Sequence, residues 1–303
     1  MSVVVLAGGT GGARLARGML DVVGSQNLVV VANTGDDVEI YGAHVSPDPD
    51  LVAFWLADLI DERGWGLEGD TFMVMDGLRA LGVEVWFNLG DRDLALGIER
   101  LRRLRAGQGL VAAHEELMDR LGVPGRVLAM SEDPVRTHVR AAGRWWPLQE
   151  FLIGRRGEGP IEGVRFDGAE RARPAAEVLE AIRDADAIVI GPSNPIISIG
   201  PILALPGMHE ALASADAPVV AVSPVVGGEI VKGPTAACMQ WAGQECSAQG
   251  VAAVYEGVID GIVADEPVQR LPALQTPTLM SDARSRRVLA DETLAFARAL
   301  ASR

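Results

Sequence analysis

Lysine is almost absent from this chain of 303 residues, which carries 27 basic residues in all. Lys232 is the one lysine, and the other 26 basic residues are arginines. Its neighbours, Val231 and Gly233-Pro234, form neither a Walker phosphate loop nor a recognisable Schiff-base context. The sequence therefore disfavours both kinds of lysine chemistry.

Positive charge is also scarce relative to negative charge, because 41 Asp and Glu residues give a formal net charge of −14. General nucleic-acid binders neutralise phosphates with a basic surface, so we expect no nucleic-acid partner. If this acidic protein handles phosphates, it needs local arginines, backbone amides or a metal ion.

Cysteines and long apolar runs are rare too. The two cysteines, Cys238 and Cys246, are too few for a disulfide framework and match no zinc-ligand spacing, which suits a reducing compartment. No apolar run reaches the roughly 18–20 residues that a membrane-spanning helix needs. The N-terminus lacks the pattern of a secretion signal. We therefore expect a soluble, cytoplasmic protein without a membrane partner.

Short apolar runs and amphipathic segments alternate along the chain, and 49% of the residues are hydrophobic, which is ample for a buried core. Continuous apolar runs suit strands that are covered on both faces. The pattern predicts an α/β, Rossmann-like, three-layer fold with a mainly parallel sheet, in a single domain spanning residues 1–303. The predicted strands are residues 3–6, 28–32, 83–87, 126–130, 187–190 and 219–222. The predicted helices are residues 13–22, 51–63, 94–105, 112–121, 175–183 and 281–301.

Residues 94–185 differ from the rest of the chain. They are rich in arginine, have shorter apolar segments, and contain polar turns such as the one at residues 154–160. We interpret this region as an insertion or smaller subdomain on the sheet core.

A glycine-rich loop, residues 8–12 with the sequence Gly-Gly-Thr-Gly-Gly, follows the first predicted strand and opens a helix. Glycines let the backbone approach a ligand closely, and the amides at a helix start favour an anion. The loop therefore predicts a phosphate-bearing ligand. It is no Walker loop, and Arg14 stands where a dinucleotide fingerprint needs its third glycine, which disfavours a nicotinamide enzyme. Sugar nucleotidyltransferases have a similar loop followed by Arg-Leu and remain an alternative.

Acidic and polar loops follow several predicted strands, and these loops should converge near the glycine loop because ligands bind at the carboxyl ends of such strands. Crowded carboxylates beside a phosphate suit a magnesium ion held jointly with the substrate, although some of them would only cap turns or helices. Asparagine and serine at a strand exit could read a base edge or cap the next turn. The aspartates concerned are Asp36, Asp37, Asp48, Asp50, Asp91 and Asp93, and the asparagine and serine are Asn194 and Ser193.

Taken together, these segments resemble the 2-phospho-L-lactate transferase family in order and spacing along nearly the whole chain. The segments that carry the resemblance are residues 8–12 (GGTGG), 33–37 (NTGDD), 46–50 (SPDPD), 89–93 (LGDRD), 130–135 (MSEDPV), 191–195 (GPSNP) and 223–227 (SPVVG).

The resemblance implies a magnesium-dependent step in the biosynthesis of coenzyme F420. The deazaflavin Fo is joined through its ribityl hydroxyl to a three-carbon phospho-acid unit, phosphoenolpyruvyl or 2-phospho-L-lactyl, which arrives as a guanosine diphosphate ester, and GMP is released. The resemblance also implies a homodimer. The donated acid stays open, and an arginine-rich, lysine-poor composition that looks bacterial favours phosphoenolpyruvate.

The resemblance also suggests roles for individual residues. Asp50 falls at a position where the family contacts Fo. Asn88 falls at another such position, which a basic residue usually occupies. Arg92 could supply positive charge instead. We expect the catalytic residues to be Asp50, Asp91 and Arg92, and the metal ligands to be Asp36, Asp37 and Asp48. We expect the diphosphate and the nucleotide to contact Gly8, Gly9, Thr10, Gly11, Gly12, Arg14, Ser193 and Asn194.

An alternative outside catalysis is a nucleotide-sugar-binding regulator of the gluconeogenesis-factor group, which shares the fold and a glycine loop. Retention of both Asp36-Asp37 and the segment 89–93 favours the enzyme.

Overall fold

The computed structural model describes residues 1–230 and 233–302, so that Lys232 lies outside the described residues. Its centre is a sheet of seven strands in the order β14-β13-β10-β9-β1-β2-β5, and every neighbouring pair in it is parallel. These strands are β1 (Val3–Ala7), β2 (Leu28–Ala32), β5 (Arg126–Ala129), β9 (Ala187–Ile190), β10 (Val219–Val222), β13 (Gly261–Ala264) and β14 (Ala273–Gln275).

Three small antiparallel sheets accompany the large one. They pair β3 (Val38–Ile40) with β4 (Ala43–Val45), β6 (Arg136–Ala141) with both β7 (Arg144–Pro147) and β8 (Gly163–Asp167), and β11 (Val225–Val226) with β12 (Glu229–Ile230).

Helices cover both faces of the central sheet. The α-helices are α1 (Gly9–Val23), α2 (Pro47–Leu56), α3 (Met73–Ala80), α4 (Asp91–Arg105), α5 (Leu110–Leu121), α6 (Ala176–Arg183), α7 (Gly200–Leu203), α8 (Met208–Ala213), α9 (Thr235–Trp241), α10 (Ala248–Val254) and α11 (Ala283–Ala301). Single helical turns occur at Ser25–Asn27, Glu150–Gly154 and Pro195–Ile199. In the described part of the chain, none of the helices is long and apolar enough to span a membrane.

The core consists of two apolar layers, one on each side of the sheet. Val3 and Val5 of β1 pack in one layer, with side chains of α1, α2 and α11. Val4 and Leu6 of the same strand pack in the other layer, with side chains of α6, α8 and α10. Alternate residues of a strand point to opposite faces, so a continuous apolar strand serves both layers. The predicted α/β three-layer fold is confirmed.

Several sequence predictions at the element level were incomplete or wrong. Residues 83–87 are all described and form no strand; this segment packs with β3, β4 and α3 in a small cluster apart from the sheet. The helix predicted at residues 51–63 corresponds to α2, which begins at Pro47 and ends at Leu56. The strands β13 and β14 were not predicted. The range 94–185 contains β5 of the central sheet as well as the separate sheet β6–β8, and its status as a subdomain stays a prediction.

The packing of α1 against α11 depends on Gly18. A Cβ atom at this position would lie 2.4 Å from the backbone oxygen of Arg286, which is closer than any real contact of that kind. Gly77 in α3 is also helical, but open space surrounds its missing Cβ.

The substitutions Gly18→Ala and Gly77→Ala are therefore expected to change the free energy of unfolding in opposite directions. Both gain the helix propensity of alanine, which stabilises an exposed site such as Gly77 by about 0.5–1 kcal/mol. Gly18→Ala must push α11 away, and overpacking of this kind lowers the free energy of unfolding by about 1–3 kcal/mol. Urea denaturation of the two variants and the parent measures both effects. Equal stabilisation by the two substitutions would contradict the tight helix contact.

Candidate active site

A cavity of about 940 Å³ lies at the carboxyl ends of β1, β9 and β10. The order of strands reverses between β1 and β9, and ligands of open α/β sheets bind at such a point. The volume falls in the range of small-molecule sites. The predicted site residues that line the cavity are Gly8, Gly9, Thr10, Gly11, Arg14, Asp36, Asp48, Asp50, Asn88, Ser193 and Asn194. Those that lie outside its lining are Gly12, Asp37, Asp91 and Arg92.

The glycine loop is compressed against the loop that follows β9. A Cβ atom at Gly11 would lie 2.0 Å from the backbone oxygen of Pro192, and one at Gly12 would lie 2.6 Å from Oγ of Ser193. Gly9 has φ +64, in the left-handed region that favours glycine. Glycine is therefore required here by contacts within the protein, in addition to any ligand that the loop binds.

Ser193 and Asn194 hold this second loop in shape. Oγ of Ser193 accepts a hydrogen bond from the Gly8 amide at 3.2 Å. Oδ1 of Asn194 accepts from the amides of Ile196 and Ile197, so it caps the helical turn that follows. Both residues also line the cavity, and their contact with a guanine base stays a prediction.

Asp48 joins the glycine loop to α2. Its Oδ1 accepts from the Gly9 amide at 2.6 Å, and its Oδ2 accepts from Nδ2 of Asn33 at 2.9 Å. Burial raises the pKa of Asp48 to about 6, against these two hydrogen bonds, which favour the charged form. In Asp36, burial and the charges of Asp48 and Asp37 raise the pKa well above its ordinary value.

Asp36 and Asp48 are candidate ligands for magnesium. Within residues 1–230 and 233–302, no three Asp, Glu, His or Cys side chains are arranged to hold a metal ion by themselves. Asp36 and Asp48 both line the cavity, and the buried Oδ1 of Asp36 has no hydrogen-bond partner among the described residues. Magnesium typically takes one or two carboxylates and completes its shell with waters and substrate phosphates. Asp36 and Asp48 fit that mode of binding.

Asp37 has a different environment. Its carboxylate accepts a hydrogen bond from Oγ of Ser46 at 2.7 Å and lies 3.0 Å from Nε2 of His44. Both partners lie on or directly after β4, so Asp37 fixes the β3–β4 hairpin beneath α2. This geometry gives it a structural task, and its predicted role as a metal ligand stays a prediction.

Asp50, in the first turn of α2, forms the most deeply buried ion pair of the site. Nη1 of Arg100 donates to Oδ2 of Asp50 at 3.0 Å, and Nη2 donates to Oδ1. The guanidinium is fully buried and also bonds the backbone oxygen of His44. Burial raises the pKa of Asp50, and Arg100 opposes that rise. Burial and the same arginine lower the pKa of His114 well below its ordinary value, so this histidine is neutral.

Asp91 and Arg92 lie outside the lining of the cavity, because their side chains bond the segment that leads into α3. The Asp91 carboxylate accepts from Oγ1 of Thr71 and from the amides of Met73 and Val74, which begin α3. These hydrogen bonds lower the pKa of Asp91. Nη1 of Arg92 donates to the backbone oxygen of Glu68. The geometry thus gives Asp91 the capping role that some of the aspartates were expected to have.

Asp70 was not predicted from the sequence, and it caps the start of a helix as Asp91 does. Its carboxylate accepts from the amides of Arg92 and Asp93, which begin α4, and it lines the cavity. The cap comes from 22 residues upstream, so no local motif reveals it. Asp93 also lines the cavity. Burial and the charge of Asp50 raise the pKa of Asp93 to about 7.

Five aromatic residues, here called the aromatic wall, line the cavity, and they were not predicted as site residues from the sequence. The chain has only six tryptophans and six phenylalanines, and five of these twelve residues belong to the wall. The rings of Trp86 and Phe87 are stacked, with centroids 5.4 Å apart. Such a surface suits a flat, conjugated ligand. The aromatic wall consists of Phe54, Trp65, Phe72, Trp86 and Phe87.

Arg14 brings positive charge to the cavity. Its Nη1 donates to the backbone oxygen of Met280 at 3.2 Å, and its guanidinium lies 5.2 Å from the centre of the Trp55 ring. Burial and the nearby charge of Arg286 lower its pKa. A bound anion would form a charge-assisted hydrogen bond with this arginine and stabilise its charged form.

A parallel sheet with a glycine loop, acidic side chains and an aromatic wall at its switch point defines a nucleotide-handling α/β protein. The model of the family described as 2-phospho-L-lactate transferase CofD matches residues 3–294. The chain therefore belongs to the CofD family and is a transferase.

Curated relatives with two different names are equally similar. A 2-phospho-L-lactate transferase of Methanosarcina mazei is 41% identical over 264 residues, which cover 87% of this chain and 86% of that protein. A phosphoenolpyruvate transferase of Streptomyces coelicolor is also 41% identical, over 98% of both chains. A crystal structure of a UPF0052 family member from Bacillus halodurans matches with a TM-score of 0.63 at 18% identity, covering 97% of this chain and 98% of that one. This last likeness concerns the fold alone.

The Asp50–Arg100 pair is expected to be essential for stability. Arg100→Met leaves the Asp50 carboxylate buried without its partner, and breaking a buried pair in this way lowers the free energy of unfolding by about 3–5 kcal/mol. Arg102→Met is the matched control on the same helix, because the pair of Arg102 with Glu99 is exposed and should contribute little. Urea denaturation measures both variants. Equal stability of the two variants would contradict the assignment.

Proposed function

We propose that this chain joins the three-carbon phospho-acid unit of a guanosine diphosphate ester to the ribityl hydroxyl of Fo, releasing GMP, in the biosynthesis of coenzyme F420. The carrying observation is the combination of CofD family membership with a cavity that has a phosphate-type glycine loop facing an aromatic wall. The acid is phosphoenolpyruvate or 2-phospho-L-lactate. We favour phosphoenolpyruvate because the Streptomyces relative aligns over 98% of both chains and the Methanosarcina relative over only 87% of this one.

In this proposal, the diphosphate lies at the start of α1. The first turn of a helix has amides without acceptors inside the helix, and the helix dipole adds to their attraction for an anion. Gly11 lets the backbone approach, and Arg14 adds a full positive charge beside the loop. Phosphoryl-type transfer depends mainly on positioning and charge stabilisation, which these groups supply.

Asp36 and Asp48 would hold a magnesium ion together with the diphosphate, and Asp37 would support them from the hairpin. When bound, the ion would neutralise charge on the phosphates and on the leaving GMP. The raised pKa values of Asp36 and Asp48 support this assignment, because each carboxylate is then short of positive charge in the free protein.

Fo would lie along the aromatic wall, with its ribityl chain running towards Asp50. Asn88 lines the cavity at the position where the family usually has a basic residue. Its Oδ1 accepts from Nη2 of Arg79 at 2.7 Å, so an arginine is still coupled to this position. Arg92 was expected to supply that charge, and both Arg92 and Arg79 lie outside the lining of the cavity. Arg79 is the better candidate because it is hydrogen-bonded to Asn88, which lines the cavity.

Incubation with Fo, magnesium and the guanylylated acids is the direct test. We expect GMP and a phosphodiester-linked deazaflavin, seen by chromatography and mass spectrometry, with the phosphoenolpyruvyl ester reacting faster than the phospholactyl ester. Transfer of a nucleotidyl group to a sugar phosphate would instead favour the nucleotidyltransferase. Tight binding of a nucleotide sugar without turnover would favour the regulator.

Removal of divalent metal is expected to stop the reaction. Excess EDTA should abolish GMP release, and added magnesium should restore it, because the diphosphate would otherwise meet several carboxylates without a counter-charge. The folded fraction, followed by circular dichroism in the same buffers, should not change. Turnover that persists in excess chelator would contradict the magnesium role.

A further inference from the structure

We propose that Asp93 is the base that accepts the proton of the attacking Fo hydroxyl, and that Arg100 reserves Asp93 for this task by binding Asp50. This inference rests on the proposed transferase function and deepens it. It concerns two residues, Asp93 and Arg100, for which the sequence analysis proposed no definite role.

In the proposed arrangement the ribityl hydroxyl points towards Asp50, and Asp93 belongs to the carboxylates of the same cavity. The two residues come from the first turns of α2 and α4. They are close enough for the charge of Asp50 to raise the pKa of Asp93. Two carboxylates in one site take different roles when their surroundings differ.

Burial raises the pKa of Asp50, but the geometry of its carboxylate disfavours proton transfer from a hydroxyl. Both of its oxygens accept hydrogen bonds from the buried guanidinium of Arg100, in the two-pronged geometry that arginine and carboxylate favour. A proton on Asp50 would have to displace one of these bonds. Asp50 can therefore orient a substrate hydroxyl, but Arg100 already binds both of the oxygens that could accept its proton.

Asp93 has the opposite surroundings. Its carboxyl oxygens accept no hydrogen bond from any residue that the structure describes, although its side chain lines the cavity. It is not needed as a helix cap, because Asp70 binds the amides at the start of α4. The charged groups that face it are Asp50 on α2, Arg100 on its own helix and Asp70 before α3. Burial and the two aspartates together hold its pKa at about 7, which suits a base at neutral pH.

Arg100 stands seven residues after Asp93 on α4, so both lie on the same face of that helix. Its charge draws Asp50 into a fixed pair and at the same time limits the rise in the pKa of Asp93. His114, which lies 3.5 Å from Arg100, is neutral and adds no competing charge. The arginine is thus a positioning residue.

The reaction balances without any further reagent. The O–H bond of the ribityl hydroxyl breaks, and its proton moves to Asp93. The oxygen forms a bond to the phosphorus that carries the three-carbon acid. The bond from that phosphorus to the bridging oxygen breaks, and GMP leaves with the electron pair. Asp93 later releases its proton to solvent.

The variant Asp93→Asn tests the base directly. We expect kcat to fall by about 100- to 10,000-fold, the contribution typical of a general base. Binding of Fo, measured through its fluorescence, should stay within a few-fold of the parent. The rise of kcat/KM with pH near pH 7, which reflects loss of the proton from Asp93, should disappear. Asp119→Asn, an exposed aspartate on α5, is the matched control and should behave as the parent.

A second variant, Asp70→Asn, tests the electrostatics. Asp70 raises the pKa of Asp93, so removal of its charge should shift the rise of kcat/KM to lower pH, while the asparagine oxygen can still cap α4. A residue with a merely structural role would change the rate without moving the pH profile.

A third measurement needs no substrate. The unfolded chain loses the proton of Asp93 near pH 4, and the folded protein loses it near pH 7. Between these values the folded state binds more protons, so the free energy of unfolding falls as pH rises. The urea midpoint of the parent should therefore drop between pH 4.5 and pH 8, and it should drop less in Asp93→Asn.

The outcomes separate the two levels of the proposal. A parent that forms no product overturns the proposed function and the role of Asp93 with it. An active parent, together with an Asp93→Asn variant that keeps its rate and its pH profile, overturns the role of Asp93 alone. Equal pH dependence of the urea midpoint in parent and variant also overturns it.

Discussion

The close contact between the loops after β1 and β9 is the constraint on which the rest of the site depends. The two strands are neighbours, yet they belong to the two halves of the chain that extend the sheet in opposite directions. Their loops meet without room for side chains at Gly11 and Gly12. Because Gly8 is bonded to Ser193 and Gly9 to Asp48, the same contact also sets the position of α2 and its carboxylates. The glycine loop and an acidic cluster are thus built as one unit.

The cavity has a high density of negative charge. Several aspartates crowd a site that is proposed to receive a charged diphosphate, and their charges are tolerated for different reasons. Arg100 offsets the charge of Asp50, and backbone amides bind the carboxylate of Asp70. Asp36 and Asp48 accept hydrogen bonds from uncharged groups only, and burial raises their pKa values. A cation bound beside these two carboxylates would offset that cost.

The sequence predicts features that come from local patterns and misses features that come from distant contacts. Five apolar runs were predicted as core strands and are present, because burial on both faces leaves a clear signature. Residues 83–87 are also rich in apolar side chains, but Val83 and Glu84 are exposed and the other three residues are only half-buried, so composition alone misplaced them. The partner of Asp50 lies 50 residues away, and the cap of α4 lies before α3. No spacing rule links such residues until the fold brings them together.

Asp70 and Asp91 exchange caps: each carboxylate binds the amides that begin the helix beside the other. These hydrogen bonds therefore hold the first turns of α3 and α4 together at the rim of the cavity. Asp93 lies in the same first turn of α4 whose amides Asp70 binds, so the exchanged caps also fix the backbone that carries Asp93. Loss of either cap would therefore change the position of that carboxylate without touching it directly.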